Sequence, residues 1–124
     1  MLPRVCSRAM NVPGTIMTQI SVMSDVFTLI NTFYTSSDRQ ASIVQSLRTF
    51  TEKIASAHPG FLSASVHVSL DGARVVNYVQ WRTSADLQSL LVTPAAKAHM
   101  AEVIALADRI DPVPYAVAFV GVSP

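Results

Sequence analysis

The stretch FLSASVHVSLDGARVVNYVQW, Phe61 to Trp81, decides the fold. From Leu62 it alternates, with Leu62, Ala64, Val66, Val68 and Leu70 on one side and Ser63, Ser65, His67 and Ser69 on the other. A period of two is the mark of a half-buried strand. Asp71-Gly72 then reads as a two-residue hairpin turn, and Arg74 to Trp81 as the returning strand. That turn pairs Leu70 with Ala73, Val68 with Val75, Val66 with Asn77, Ala64 with Val79 and Leu62 with Trp81. Residues paired across an antiparallel ladder share a face. Asn77 and Trp81 therefore lie with the apolar row, and Tyr78 and Gln80 lie with the serines and His67. An amide and an indole point into the layer meant for the core, roughly 13 Å apart along the strand.

The flanking sequence supplies the other elements. VFTLINTFY, Val26 to Tyr34, is rich in β-branched and aromatic residues, as strands are. Ser37 with Gln40 three residues on fits a capping box, followed by Ile43, Leu47, Phe50 and Ile54 at helical spacing with Val44 beside them. Pro59 and Gly60 end that helix. After Trp81 a short helix begins at Thr83 or Ser84. A second helix follows, capped by Thr93 with Pro94 at its first position. VPYAVAFVGV is expected to close the chain as a strand, with Pro114 marking an edge.

The order β-α-β-β-α-β is the ferredoxin-like α+β motif: an antiparallel sheet of strand order 4-1-3-2 with helices on one face. Val76 and Tyr78 project from the other face, with Pro114, Ala116, Ala118 and Val120 expected beside them. An uncovered apolar face implies a partner. The expected assembly is a homodimer packed sheet to sheet, a dimeric α/β barrel.

Composition agrees. The chain has 124 residues, enough for one domain with a real core; half are apolar and only 14% charged. A net charge of +1 with no block of like charges argues against nucleic-acid binding. No apolar run reaches the length of a membrane span. Cys6 is the single cysteine, so no intrachain disulfide can form, and a reducing, cytoplasmic setting is expected. Residues 1–24 form an N-terminal extension ahead of a domain over 25–124. The extension has basic residues but no continuous apolar segment, so no signal peptide is expected. Met10, Met17 and Met23 leave a later start open. This extension is expected to be ordered, packed on a partner chain.

Phe27, Leu29, Asn31 and Phe33 form one row of the first strand. If that row also faces the helices, Asn31 comes near Asn77. A buried amide without partners costs on the order of 1–3 kcal/mol. Either the two amides form a small polar network inside a core, or water and a ligand occupy a cavity there.

At TLINTF, HPGF, SLDG and VVNYVQW, in that order and spacing, the chain resembles the antibiotic biosynthesis monooxygenase family over roughly Phe27 to Val120. Within that family the look is that of cofactor-independent enzymes of the actinorhodin and nogalamycin type, which tailor aromatic polyketides. The resemblance implies oxidation of a phenolic or anthrone-type ring to a quinone by dioxygen, with no cofactor and no metal. It implies catalytic roles for Asn31, Asn77 and Trp81, and it matches His67 to a strand histidine of the actinorhodin type. The hairpin register puts His67 on the dimer face instead, unless a β-bulge reverses it. Phe33, Leu47, Phe50 and Met100 are expected to wall the pocket. His99 falls at the edge of the inner stripe Ala96, Met100, Val103, Ile104 and Ala107, and is a further candidate for contact with substrate. The chain departs from the family in having no Tyr between Tyr78 and Tyr115, and in reading KAHMAE where an Arg is expected. None of the amides or the indole is a base, and a substrate with acidic phenols needs none.

Three other readings use the same residues. A non-oxidative ligand-binding or cyclase-like barrel would employ the same pocket. A haem-degrading monooxygenase would need an axial His soon after Trp81, where LQSLLVTP has none. A purely structural dimer would have no use for two inward amides.

Overall fold

The computed structural model describes residues 17–124. β1 (Phe27–Tyr34) leads through α1 (Gln40–Lys53) and a 3-10 turn (Ala55–Ala57) to β2 (Phe61–Val68) and β3 (Arg74–Trp81). α2 (Ser84–Leu91), α3 (Pro94–Leu106) and β4 (Arg109–Tyr115) complete the chain. The sheet is antiparallel with order β2-β3-β1-β4, the expected ferredoxin-like arrangement.

The expected hairpin register holds for Val68↔Val75, Val66↔Asn77 and Ala64↔Val79. It fails at both ends. At the turn, Ser69 N–H donates to Arg74 O at 3.0 Å and closes the ladder one step early. Leu70 and Ala73 leave the ladder, and Leu70 is fully exposed. At the other end a β-bulge between Phe61 and Ser63 puts Phe61, not Leu62, opposite Trp81. The extra residue brings the Phe61 ring edge-on to Trp81, with centroids 5.5 Å apart.

The helix starts follow local chemistry. Thr83 Oγ1 accepts from Asp86 N–H at 3.1 Å and Thr93 Oγ1 from Ala96 N–H at 3.2 Å, as their positions predict. The capping box expected at Ser37 does not form. The chain turns on Ser36 O, which accepts from both Arg39 and Gln40 N–H. The Gln40 amide instead donates to Ser69 O and Arg74 O, tying the start of α1 to the hairpin mouth. Gly60 has φ +89°, and a Cβ there would fall 2.3 Å from the Asp86 carboxyl. Only glycine fits this turn between α1 and β2.

The last strand differs from expectation. It is RIDPVPY, not VPYAVAFVGV, and residues 116–124 lie outside the sheet. Pro114 pairs with Leu29 and Pro112 with Asn31, so both prolines belong to the inner row, not to the open face. Proline is tolerated because β4 is an edge strand.

Part of the open face is covered by the chain itself. Ser63, Gln80, Thr28 and Tyr115 form one rung across all four strands. Gln80 Nε2 donates to Gln19 O at 2.6 Å, and its Oε1 accepts from Gln19 N–H at 3.0 Å. Thr18 and Ser63 hydroxyls are 3.0 Å apart. Thr18 and Gln19, from the extension expected on a partner chain, are thus held to their own sheet, and Gln80 is only 2% exposed. The extension before Met17, with Cys6 and Met10, lies outside the described residues. Among the described residues no helix is long and apolar enough to cross a membrane.

The core between sheet and helices is divided in two. One part gathers Trp81, Val79, Leu87, Leu90, Ala96 and Ala55. The other gathers Phe33, Val75, Ile43, Leu47 and Val103. Along β3 the inner row runs Val75, Asn77, Val79, Trp81, and along β1 it runs Phe27, Leu29, Asn31, Phe33. The division falls at the two asparagines.

Candidate active site

Asn31 and Asn77 are directly opposed across the β1–β3 ladder. Opposed residues carry their Cβ atoms about 4.5–5.5 Å apart, so both amides enter the same space. That space is a cavity of about 200 Å³ between the sheet and the helices. Its walls are mostly apolar: Phe33, Leu47, Phe50, Phe61, Val79, Leu87 and Leu90 among others. Met100 and Leu91 also line it and are 39% and 40% exposed, which marks the rim.

Two polar atoms on residues that line this cavity are buried and lack a hydrogen-bond partner among the described residues: Asn77 Oδ1, an acceptor, and Trp81 Nε1, a donor. Buried polar groups are nearly always paired in native proteins. The small polar network that sequence alone allowed would have paired Asn77 Oδ1. An orphan acceptor and an orphan donor in one apolar hollow are instead suited to a ligand that carries both a hydroxyl and a carbonyl or oxyanion.

His99 also lines the cavity, and equally the outer groove between α1 and α3. Its ring stacks on Phe50 with centroids 4.2 Å apart and planes 8° off parallel. Ser46 Oγ lies 3.4 Å from His99 Nδ1 and donates to Glu102 Oε1 at 2.8 Å. Burial pulls the imidazole below its ordinary pKa of 6.5, and the Glu102 carboxylate partly opposes this.

Of the residues singled out in the sequence, Asn31, Asn77, Trp81, Phe33, Leu47, Phe50, His99 and Met100 come together here. His67 does not. It pairs with Val76 on the open face and lies 2.9 Å from the Ser65 hydroxyl. A bulge does occur in β2, but at Phe61/Ser63, too early in the strand to turn His67 inward. Ile104, expected on the inner stripe of its helix, is 61% exposed. Sequence reasoning missed Phe61, because the bulge is invisible in the alternation. It also missed Ser46 and Glu102. Ser46 stands three residues after Ile43 and Glu102 three after His99, a helical spacing that was available to read.

Residues 26–102 match the antibiotic biosynthesis monooxygenase family. The chain belongs to this family. It is 40% identical over 83 residues to the tetracenomycin-F1 monooxygenase of Streptomyces glaucescens, an alignment covering 67% of this chain and 74% of that protein. The fold also matches a monooxygenase from ActVA-Orf6 of Streptomyces coelicolor, solved in complex with nanaomycin D. Identity there is 25% and the TM-score 0.65, over 79% of this chain and 91% of that one. SnoaB, a cofactor-independent oxygenase from Streptomyces nogalater, solved as a variant, shares the fold at 17% identity and a TM-score of 0.63. That match covers 78% of this chain and 97% of SnoaB. The family match ends at Glu102, so β4, which supplies Ile110 and Pro112 to the cavity wall, lies beyond it.

Proposed function

We propose that the chain oxidises a phenolic or anthrone-type aromatic polyketide to a quinone with dioxygen and without a cofactor. The observation that carries this reading is the pair of unpartnered polar atoms, Asn77 Oδ1 and Trp81 Nε1, on residues that line a mostly apolar cavity. Relatives named as monooxygenases favour it over a non-oxidative binding or cyclase-like barrel and over haem degradation.

The chemistry asks little of a protein. Removing a hydroxyl proton from the substrate leaves a delocalised anion. The anion passes one electron to dioxygen, and the resulting radicals join as a carbon-bound peroxide. Protonation of the peroxide and loss of water break the O–O bond and leave a carbonyl. One oxygen atom enters the ring; the other leaves as water with two substrate hydrogens. The chain's part is to hold the ring flat between aromatic walls such as Phe33, Phe50 and Phe61, to exclude bulk water, and to stabilise the anion. The Trp81 N–H and the N–H groups of the Asn31 and Asn77 amides are the donors available for the last task. The cavity is smaller than the roughly 300–1,000 Å³ usual for drug-sized ligands. A flat ring system entering edge-on past Met100 and Leu91 suits it.

A homodimer is part of the proposal. Beyond the rung covered by residues 18–19, the open sheet face presents Ser65, Tyr78, Ile30 and Val113 in one rung and His67, Val76, Thr32 and Asp111 in the next. The apolar centre of this face, Ile30, Tyr78, Val113 and Val76, is where a second copy would pack.

The deciding experiment is oxygen consumption by the purified chain with an anthrone or dihydroxyanthracene and no added cofactor. Uptake matched by quinone formation is expected, and Trp81→Phe should lower kcat by about 100-fold, the usual cost of removing one donor to a developing oxyanion. Anthrone binding with no oxygen uptake would overturn the reading in favour of a non-oxidative barrel.

A further inference from the structure

We infer that His99 is the base that takes the substrate's hydroxyl proton, and that Ser46 and Glu102 are positioning residues that fix its tautomer. This rests on the oxidative reading above and assigns the proton acceptor that reading leaves open. Carboxamides and an indole neither gain nor lose a proton near neutral pH. Among the described residues lining the cavity, His99 is the one titratable side chain.

A serine hydroxyl has a single proton. Ser46 gives its proton to Glu102 Oε1 at 2.8 Å and so has none to offer His99. At the 3.4 Å contact the hydroxyl oxygen must therefore be the acceptor and Nδ1–H the donor. That leaves Nε2 without a hydrogen, its lone pair free. Nδ1 is turned to Ser46, which lines the outer groove and not the cavity. The remainder of the ring, with Nε2, is what His99 offers to a bound molecule. Phe50, stacked at 4.2 Å, fixes the plane of the imidazole.

The surroundings suit a base. The cavity side of His99 is apolar, and the charged groups on its outer side are Glu102 from its own helix and Lys53 from α1, both lining the groove. Burial favours the neutral form of the free imidazole, with the Glu102 carboxylate partly opposing it. In the reaction the substrate O–H bond breaks, an Nε2–H bond forms, and the electron pair stays on the substrate as the anion. The imidazolium then holds its second proton against Ser46 Oγ, with the Glu102 carboxylate beyond. The Nε2 proton returns to the peroxide oxygen after dioxygen has added, so the histidine ends each turnover neutral. Orienting a histidine through a hydrogen-bonded neighbour is a general device for fixing which nitrogen is basic.

Long-range proton–nitrogen correlation spectra of the full chain test this without turnover. His99 should show a pyrrole-like Nδ1 and a pyridine-like Nε2, and Ser46→Ala should abolish that preference. In oxygen uptake, His99→Gln should lower kcat by about 100-fold or more, the range of a lost general base. Glu102→Gln should move the acidic limb of kcat/KM to lower pH, because the carboxylate that raises the imidazole's pKa is gone. A merely structural Glu102 would leave that limb in place. An oxygen-consuming chain whose His99 carries its proton on Nε2 would overturn this inference alone. A chain with the expected tautomer and no oxygen uptake would sink the oxidative reading and the base role together.

Discussion

Replacing Asn77 by leucine should make the protein more stable while disabling it. Asn77 is 7% exposed, its Oδ1 is buried, and no described residue donates to that oxygen. A buried polar atom left unsatisfied costs about 1–3 kcal/mol. Leucine has nearly the same size, no polar atom, and apolar neighbours in Val79 and Leu47 on the cavity wall. A cavity of about 200 Å³ has room for water, and a bound water would recover part of the amide's cost. The gain should therefore sit at the low end, about 1 kcal/mol, or roughly 4 °C in Tm for a domain of this size. Thermal unfolding of the ligand-free protein, at one fixed protein concentration so that association does not shift the midpoint, is the assay. Oxygen uptake with an anthrone, measured on the same preparation, should fall by two orders of magnitude or so if the amide contacts the reacting oxygen. The reasoning is refuted if Asn77→Leu is destabilised by about 2 kcal/mol or more. The amide would then be a satisfied structural group, and the division of the core at this position would have nothing to do with a ligand.

Two further outcomes follow from the same structure. His99 has its pKa lowered by burial, so between about pH 6.5 and its folded value the unfolded chain binds a proton that the native chain does not. Stability should be whole above that window and fall as pH drops through it, and urea titrations at several pH values should show the slope vanish in His99→Gln; an unchanged slope would exclude His99 as its source. On the open face, Tyr78→Glu should yield a monomer by sedimentation velocity, because it places a charge beside Ile30 and Val113 at the apolar centre of that face; a variant that still dimerises would show that this face is not the interface.

How far the sequence could be read depended on the range of each interaction. The alternation from Ala64 to Val68 and from Val75 to Val79 states a face, and the ladder kept it. The Thr83 and Thr93 caps are set within three residues, and both formed. Ser37 satisfied the same local rule and failed. Gln40, needed for the box, is engaged by the hairpin mouth, and Ser37 stands against Gly72, where a Cβ would meet it at 2.9 Å. The end of β4 was misjudged because VAFV has strand composition but no neighbour to pair with once Tyr115 has met Thr28.

The sequence by itself determined the element order and the inward direction of Asn77 and Trp81, and its motifs carried the resemblance to the family. The first two follow from chirality, pleat and local spacing, which need no knowledge of what lies opposite. Only the tertiary structure decided that Asn31 faces Asn77 directly, that Gln80 binds the chain's own Gln19, that His67 stays outside, and that Ser46 joins His99 to Glu102. Each of these joins residues distant in the chain or turns on ladder register, and such relations are fixed by how sheet and helices pack, a quantity that no local pattern of residues encodes.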